Sequence, residues 1–269
     1  MKTVFVTGAS SGIGKETAKL FQKKGWNVIA TMRNPQKEEE LTKLNNVKVV
    51  HCDVTDQSSI KAALQEGISA FKGIDVLVNN AGYYTVGPLE TATHKQIERQ
   101  IDTNLLGLID VTKEIIPYFR EQKSGTVINI SSIAGVISIP LQSLYHATKW
   151  GIEGFSEALQ YELNPFNIRV KIIEPGIIKT DFYGRSMTVL KDETINAYES
   201  YSQKVIGNLL AQGNNGSDPC VVAEAIYKAA LDSSKKLRYS IGKAKGLIPL
   251  RKLLPFGFFS KSIRSVIEK

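Results

Sequence analysis

A strand running straight into a glycine-rich turn and then a helix fixes how this chain begins to fold. Lys2-Thr3-Val4-Phe5-Val6 is a β-branched and aromatic run, long enough for one buried strand. It feeds without a spacer into Thr7-Gly8-Ala9-Ser10-Ser11-Gly12-Ile13-Gly14, and a helical pattern follows from Lys15 to Lys24. The glycines permit a tight turn and close backbone approach, and the helix N-terminus offers unpaired N–H groups to an anion. A pyrophosphate is the anion this arrangement suits, with the glycines spaced Gly-x-x-x-Gly-x-Gly.

Further apolar runs repeat the strand signal at Asn27–Thr31, Val47–His51, Val76–Asn79, Thr126–Ile130 and Arg169–Ile173. Helical stretches separate them, among them Gln57–Phe71, Gln96–Glu121 and Ser143–Leu163. Such alternation predicts an α/β fold, a Rossmann-type doubly wound parallel sheet with helices on both faces. The glycine turn, Asn79–Gly82, Ser131-Ser132 and Pro175-Gly176 all follow strands, so they gather at the carboxyl edge, where such sheets bind ligands. From Asp181 to Asp218 the sheet pattern stops, which predicts a lid or a disordered loop. Asp218 as N-cap and Pro219 after it predict a helix to Asp232, and Arg238–Ile241 reads as the last strand.

At 269 residues, 42% of them hydrophobic, the chain holds one large core, which excludes a disordered or fibrous class. The glycine turn begins at residue 7, leaving no room for a secretory signal, and no apolar run reaches the ~18 residues of a membrane span. Cys52 and Cys220 are isolated, and the three histidines (His51, His94, His146) show no metal-ligand spacing. A cytoplasmic protein without a metal is expected. Ten of the 34 basic residues and one of the 26 acidic ones lie between Ser233 and Lys269. That segment carries +9 and the rest of the chain −1, so the charge gives the body no reason to bind nucleic acid.

Tyr145 and Lys149 stand four apart in a helical segment, on one face and one turn from each other. A free tyrosine titrates near ~10. A neighbouring cation favours the phenolate and draws that value toward neutrality, where a phenol can give a proton to a carbonyl oxygen or take one from an alcohol. His146 lies about 100° further round the helix and reads as packing.

Together these motifs resemble the short-chain dehydrogenase/reductase family over about residues 1–185. Gly8, Ser10, Ser11, Gly12, Ile13 and Gly14 fall in a segment like its cofactor fingerprint, and Asn80, Ala81 and Gly82 in one like its second signature. Asn104, Ser132, Tyr145 and Lys149 fall where the family carries its catalytic residues. Pro175, Gly176, Ile178 and Thr180 resemble the segment that closes over the nicotinamide, and Asp53-Val54 the adenine contact. The resemblance implies that Tyr145 donates the proton and that Lys149 also holds the nicotinamide ribose. It implies that Ser132 binds the substrate oxygen and that Asn104 holds a water relaying protons to Lys149. It also implies a substrate flap over about 181–217 and a homodimer or homotetramer paired through the helices near Asn104–Glu121 and Ser143–Leu163. The expected organisation is one catalytic domain, 1–242, with a basic apolar extension, 243–269.

Cofactor choice turns on the end of the second strand, where an NAD-preferring fold places Asp or Glu. Met32 stands at about that position and Arg33 follows, and a guanidinium grips a 2′-phosphate that a carboxylate would repel. NADP(H) is therefore expected over NAD(H). Tyr83, Tyr84, Ile133, Leu141 and Phe182 are the leading pocket walls, with Val86, Val136, Ile139, Leu144, Ile177 and Tyr183 as further candidates. An apolar, aromatic lining suits a hydrophobic ketone or aldehyde and its alcohol, as in the steroid-, retinoid- and carbonyl-reducing branch of the family. NAD-linked oxidation of a hydroxysteroid-like alcohol is the alternative, and a non-catalytic nucleotide sensor fits less well because both Tyr145 and Lys149 are present.

Gly246–Phe259 sets eight large apolar residues among the basic ones. Three readings stay open: a cover over the substrate pocket, a packed helix with a solvated basic edge, or a dock on an anionic membrane surface. Pro249, Pro255 and Gly257 interrupt any long helix there and count against the membrane.

Overall fold

The computed structural model describes residues 1–268 apart from Asp181, Tyr183 and Arg185. β1 (Thr3–Val6) leads into α1 (Gly12–Lys23), β2 (Asn27–Met32), β3 (Val47–His51), α2 (Gln57–Phe71) and β4 (Val76–Asn79). Next come β5 (Tyr84–Val86), α3 (His94–Ile101), α4 (Gly107–Glu121), β6 (Gly125–Ile130), α5 (Ser143–Leu163) and β7 (Ile168–Pro175). The last third holds β8 (Met187–Val189), α6 (Glu199–Asn214), α7 (Pro219–Leu231), β9 (Arg238–Ile241), α8 (Ala244–Leu253) and α9 (Phe256–Ile267).

Seven strands form one sheet in the order β3-β2-β1-β4-β6-β7-β9, every pairing parallel. Helices cover both faces, so β1, β2, β4 and β6 are buried at every residue. On one face Phe21, Trp26 and Tyr227 pack edge to face between α1 and α7. On the other, Phe5, Leu77 and Phe119 anchor the layer of α2, α4 and α5. This is the predicted single Rossmann-like domain. Strand order reverses between β1 and β4, and a crevice opens there at the carboxyl edge. Thr7 donates its N–H to Val78 O at 3.0 Å, which sets the glycine turn beside Asn79–Gly82.

Two local features differ from the sequence expectation. The helix expected over Gln96–Glu121 is interrupted by a π-helical turn, Asp102–Leu106, with Asn104 buried inside it. The segment expected to lack sheet contains β8, which pairs in parallel with β5 as a separate two-stranded ribbon. In the C-terminal extension, for which a packed helix was one open reading, Ala244, Ile248 and Phe259 pack against Ile133 and Ile137. As expected, Asp218 caps α7 through the Cys220 N–H and Pro219 is its first residue. No described helix is long and apolar enough to cross a membrane.

Candidate active site

One cavity of about 770 Å³ runs along the carboxyl edge of the sheet, a size suited to a small-molecule or cofactor site. Gly8, Ser10, Ser11, Gly12 and Ile13 line one end. Gly8 has φ +66°, and a Cβ there would stand 2.8 Å from the Ala81 Cα. The turn is held from below: Asn80 Nδ2 donates to the Thr7 and Gly8 carbonyls at 2.9 and 3.0 Å. Thr7 Oγ1 accepts the N–H groups of Asn80 and Ala81. Ser11 is the N-cap of α1 but its side chain makes no cap bond, which leaves the leading N–H groups for an anion. Asp53, Val54, Asn80, Ala81 and Gly82 continue the wall, and Pro175, Gly176, Ile178 and Thr180 close it. Gly14 is a correction. It does not reach the wall, and a Cβ there would lie 2.4 Å from both Gly8 O and Asn80 Nδ2, so its part is close packing of α1 under the turn.

At the far end of β2, Arg33 lines the cavity together with Lys37, a second cation that the sequence reading did not single out. Glu38 also borders it, but its carboxylate is engaged elsewhere. It accepts the N–H groups of Glu40 and Leu41 and pairs with Lys15 at 3.0 Å. Burial alone would raise its pKa, yet the Leu41 N–H and the Lys15 ammonium hold the carboxyl below the usual range. Two exposed cations and an ion-paired carboxylate thus stand at this end of the cavity.

Asn104, Ser132, Tyr145 and Lys149 all line the middle of the same cavity. Lys149 is buried; its Nζ donates to Ile130 O at 2.8 Å and stands 5.7 Å from the centroid of the Tyr145 ring. Burial pushes the Lys149 ammonium down to about 8, and the Glu153 carboxylate one turn further along α5 opposes that shift. The Asn104 amide clamps the Tyr83 backbone, donating to its carbonyl at 2.8 Å and accepting its N–H at 3.0 Å. Ser132 Oγ accepts the Ala134 N–H at 3.1 Å, which fixes the turn that presents its hydroxyl.

Two supporting groups escaped the sequence reading. His146 is not passive packing. Its Nδ1 bonds the Ala134 carbonyl at 2.7 Å while its Nε2 accepts the Ile139 N–H at 2.8 Å, so one ring ties both ends of the loop after Ser132. Burial lowers its pKa, which keeps the ring neutral and suited to this donor–acceptor pair. Glu153, buried behind Lys149, pairs with Arg238 of β9 at 3.0 Å, and the same guanidinium lies 3.7 Å from the buried Glu174 of β7. Only the helical spacing of Lys149 and Glu153 hinted at this; the partner strand is distant in sequence.

At the other end Tyr83, Tyr84, Ile133 and Phe182 line the cavity, with Ile139 and Ile177. Tyr84 stacks on Phe182 at 5.5 Å and meets the Tyr145 ring edge-on at 5.2 Å. Leu141 is a second correction: it does not line the cavity but packs near Tyr84 and Val86 with φ +60°, its carbonyl accepting the Gly87 N–H. Val86, Val136 and Leu144 likewise stay out of the wall, and Tyr183 lies outside the described residues. Leu209 of α6 and Ile267 of α9 enter instead, with Gln142 and Gln212 as polar neighbours. Among the described residues no cluster of His, Cys, Asp or Glu is placed to hold a metal.

The sequence model of the family described as short chain dehydrogenase matches residues 2–188. The chain belongs to that family of oxidoreductases. It is 38% identical to the uncharacterized oxidoreductase YusZ of Bacillus subtilis, covering 98% of this chain and 97% of that one. It is 36% identical to a 3-ketodihydrosphingosine reductase of Bacteroides thetaiotaomicron, covering 89% of this chain and 87% of the relative. A short-chain dehydrogenase structure from Streptomyces avermitilis superposes with TM-score 0.83 at 30% identity, over 100% of this chain and 97% of that one. The structure of ElxO with NADP bound matches with TM-score 0.72 at 27% identity, over 89% and 97%. The fold is one that binds a nicotinamide cofactor.

Proposed function

We propose that this protein is an NADP(H)-dependent oxidoreductase that interconverts a hydrophobic ketone or aldehyde and its alcohol. The observation that carries the reading is one continuous cavity, with Arg33 and Lys37 at one end, Ser132, Tyr145 and Lys149 in the middle and an aromatic wall at the other end. The glycine cradle fits the cofactor, since side chains larger than hydrogen at Gly8 would strike the Ala81 backbone. Ser10, Ser11 and the N–H groups opening α1 would hold its pyrophosphate, and Arg33 with Lys37 its 2′-phosphate. When bound, the cofactor supplies or accepts the hydride.

The chain's own residues do the rest. Ser132 Oγ holds the substrate oxygen by a hydrogen bond that strengthens as charge develops there. Tyr145 transfers a proton between its hydroxyl and that oxygen. The Lys149 ammonium favours the phenolate and holds the nicotinamide ribose. The Asn104 amide keeps one N–H and one lone pair beyond its Tyr83 contacts, and these would hold a water that relays protons between Lys149 and solvent.

Tyr84, Phe182, Leu209 and Ile267 favour an alkyl or ring-bearing substrate, and the relative named for 3-ketodihydrosphingosine supports a long-chain ketone. The two free cysteines suit a reducing, cytoplasmic setting. Exposed Trp150 and Tyr161 of α5, with Leu106 in the π turn just before α4, support a homo-oligomer paired through α5 and the turn that opens α4. The test is isotopic. With NADPH deuterated at the reactive ring carbon and a long-chain ketone, the alcohol should carry deuterium at its carbinol carbon. An unlabelled alcohol, or none, would count against the reading.

A further inference from the structure

The two C-terminal helices have faces of opposite character. Inward, Ala244 and Ile248 of α8 and Phe259 of α9 pack on Ile133 and Ile137, in the loop that follows Ser132. Outward, Leu250, Leu253, Phe256 and Phe258 are exposed at 43%, 80%, 64% and 70%. These four fall in the stretch where α8 ends, Leu254 and Pro255 turn the chain, and α9 begins. Pro249, Lys252, Pro255, Gly257 and Lys261 of this stretch are exposed as well. Such exposures describe a protruding apolar tip.

Along the chain the charge around the tip has one sign. Lys245, Arg251, Lys252, Lys261 and Arg264 flank the tip, and from Ser233 to Ile267 the sequence has no Asp or Glu. Lys261 shares a groove with Phe258, and the Arg251 guanidinium lies over the Phe256 ring at 5.3 Å. The one acid that follows, Glu268, is bonded by the Tyr201 hydroxyl.

We propose that this tip docks on an anionic lipid surface. Leu253, Phe256 and Phe258 would enter the boundary between headgroups and acyl chains, and Arg251, Lys252 and Lys261 would meet the lipid phosphates. Charge complementarity selects this occupant. A second copy of the chain would bring like charges together, and four exposed apolar side chains offer little of the ~800 Å² per partner that a stable protein interface needs. The sequence argument against a membrane was the helix-breaking Pro249, Pro255 and Gly257; Pro249 lies within α8 and Gly257 within α9. Pro255 instead forms the turn that makes the apolar residues project, and no long helix is required. The same α9 ends at Ile267, which lines the cavity beside Tyr145. On the reading of a lipophilic substrate, the docked tip and the pocket cover then lie at opposite ends of α9.

The test is co-sedimentation of the full-length protein with vesicles, independent of turnover. One vesicle is phosphatidylcholine and phosphatidylglycerol in equal parts; the other is phosphatidylcholine alone. Binding is expected to the first, weakened by salt, and only weakly to the second. The pair Lys252→Glu with Lys261→Glu should cost about fivefold for each lysine charge lost, about 1 kcal/mol each, before any repulsion from the added acids. The triple variant Leu253→Ser, Phe256→Ser, Phe258→Ser should cost at least about tenfold. A normal thermal midpoint certifies each variant's fold, and the lysine pair decides alone if the triple variant unfolds. Absence of binding to the anionic vesicles, or binding that folded variants retain, would overturn the proposal. So would a triple variant that binds vesicles normally but loses self-association, which would make the tip a contact between copies.

Discussion

Lys149 reaches back along α5 so that its Nζ stands 5.7 Å from the Tyr145 ring centroid while donating to Ile130 O at 2.8 Å. The bond to the end of β6 ties the helix to the strand that carries Ser132 into the site. Tyr145, Lys149 and Ser132 thus share one support, which holds a phenol, a cation and a hydroxyl in a set relation.

The Lys149 charge should be visible in the pH profile. Burial lowers it to about 8, with Glu153 opposing the shift. The ammonium is present below that value and lost above it, so reductive kcat/KM should fall as pH rises through about 8. Glu153→Gln removes the opposing carboxylate, so the alkaline limb should move down by about half a unit or more. A limb unmoved in the variant would contradict this coupling.

Cofactor preference should rest on two cations. Arg33→Ala should weaken NADPH by about tenfold or more, the scale of one lost charge-assisted contact, and leave NADH within about twofold. Lys37→Ala should act in the same direction with a smaller effect. Titration of both variants with both cofactors checks it; equal losses for NADPH and NADH would defeat the assignment.

The Asn104 clamp should matter to stability as well as to rate. Asn104→Ala leaves the Tyr83 N–H without its side-chain partner and its carbonyl with only the Gln100 amide at 3.3 Å, at a cost of about 1–3 kcal/mol. The expected signature is a fall of about 2–8 °C in the thermal midpoint together with slower turnover. An unchanged midpoint would mean that Tyr83 is held by other contacts.

His146 gives an acid-side prediction. Burial depresses its pKa below the ordinary 6.5, so the unfolded chain takes up a proton that the folded chain resists. Its contribution is complete above 6.5 and is lost as pH falls below that value. Between pH about 7 and about 5 the thermal midpoint should therefore drop further in the native protein than in His146→Gln. Parallel drops would show that the ring is not held neutral.

The sheet was legible because parallel strands buried on both faces read as mostly apolar, β-branched runs, as Val76–Asn79 and Thr126–Ile130 do. The glycine turn and Tyr145–Lys149 were legible because their spacing is local. β8 was not: a three-residue strand at Met187–Val189 is specified by pairing with Tyr84–Val86, about a hundred residues earlier. The π turn around Asn104 left no period of its own in a continuous helical pattern. Leu209, Ile267 and Arg238 join the site only through folding of distant segments. Leu141 was read as a pocket wall and Gly14 as a cofactor contact because sequence shows proximity along the chain and not the direction a residue faces.

The most direct measurement is the initial rate of NADPH consumption against a panel of hydrophobic ketones and aldehydes, with Tyr145→Phe alongside. Turnover in the native protein that vanishes in the variant, with NADPH affinity nearly intact, is the predicted result. Turnover that persists without the phenol, or NADPH binding with no turnover across the panel, would contradict the assignment of Tyr145 as the proton donor of a carbonyl reductase.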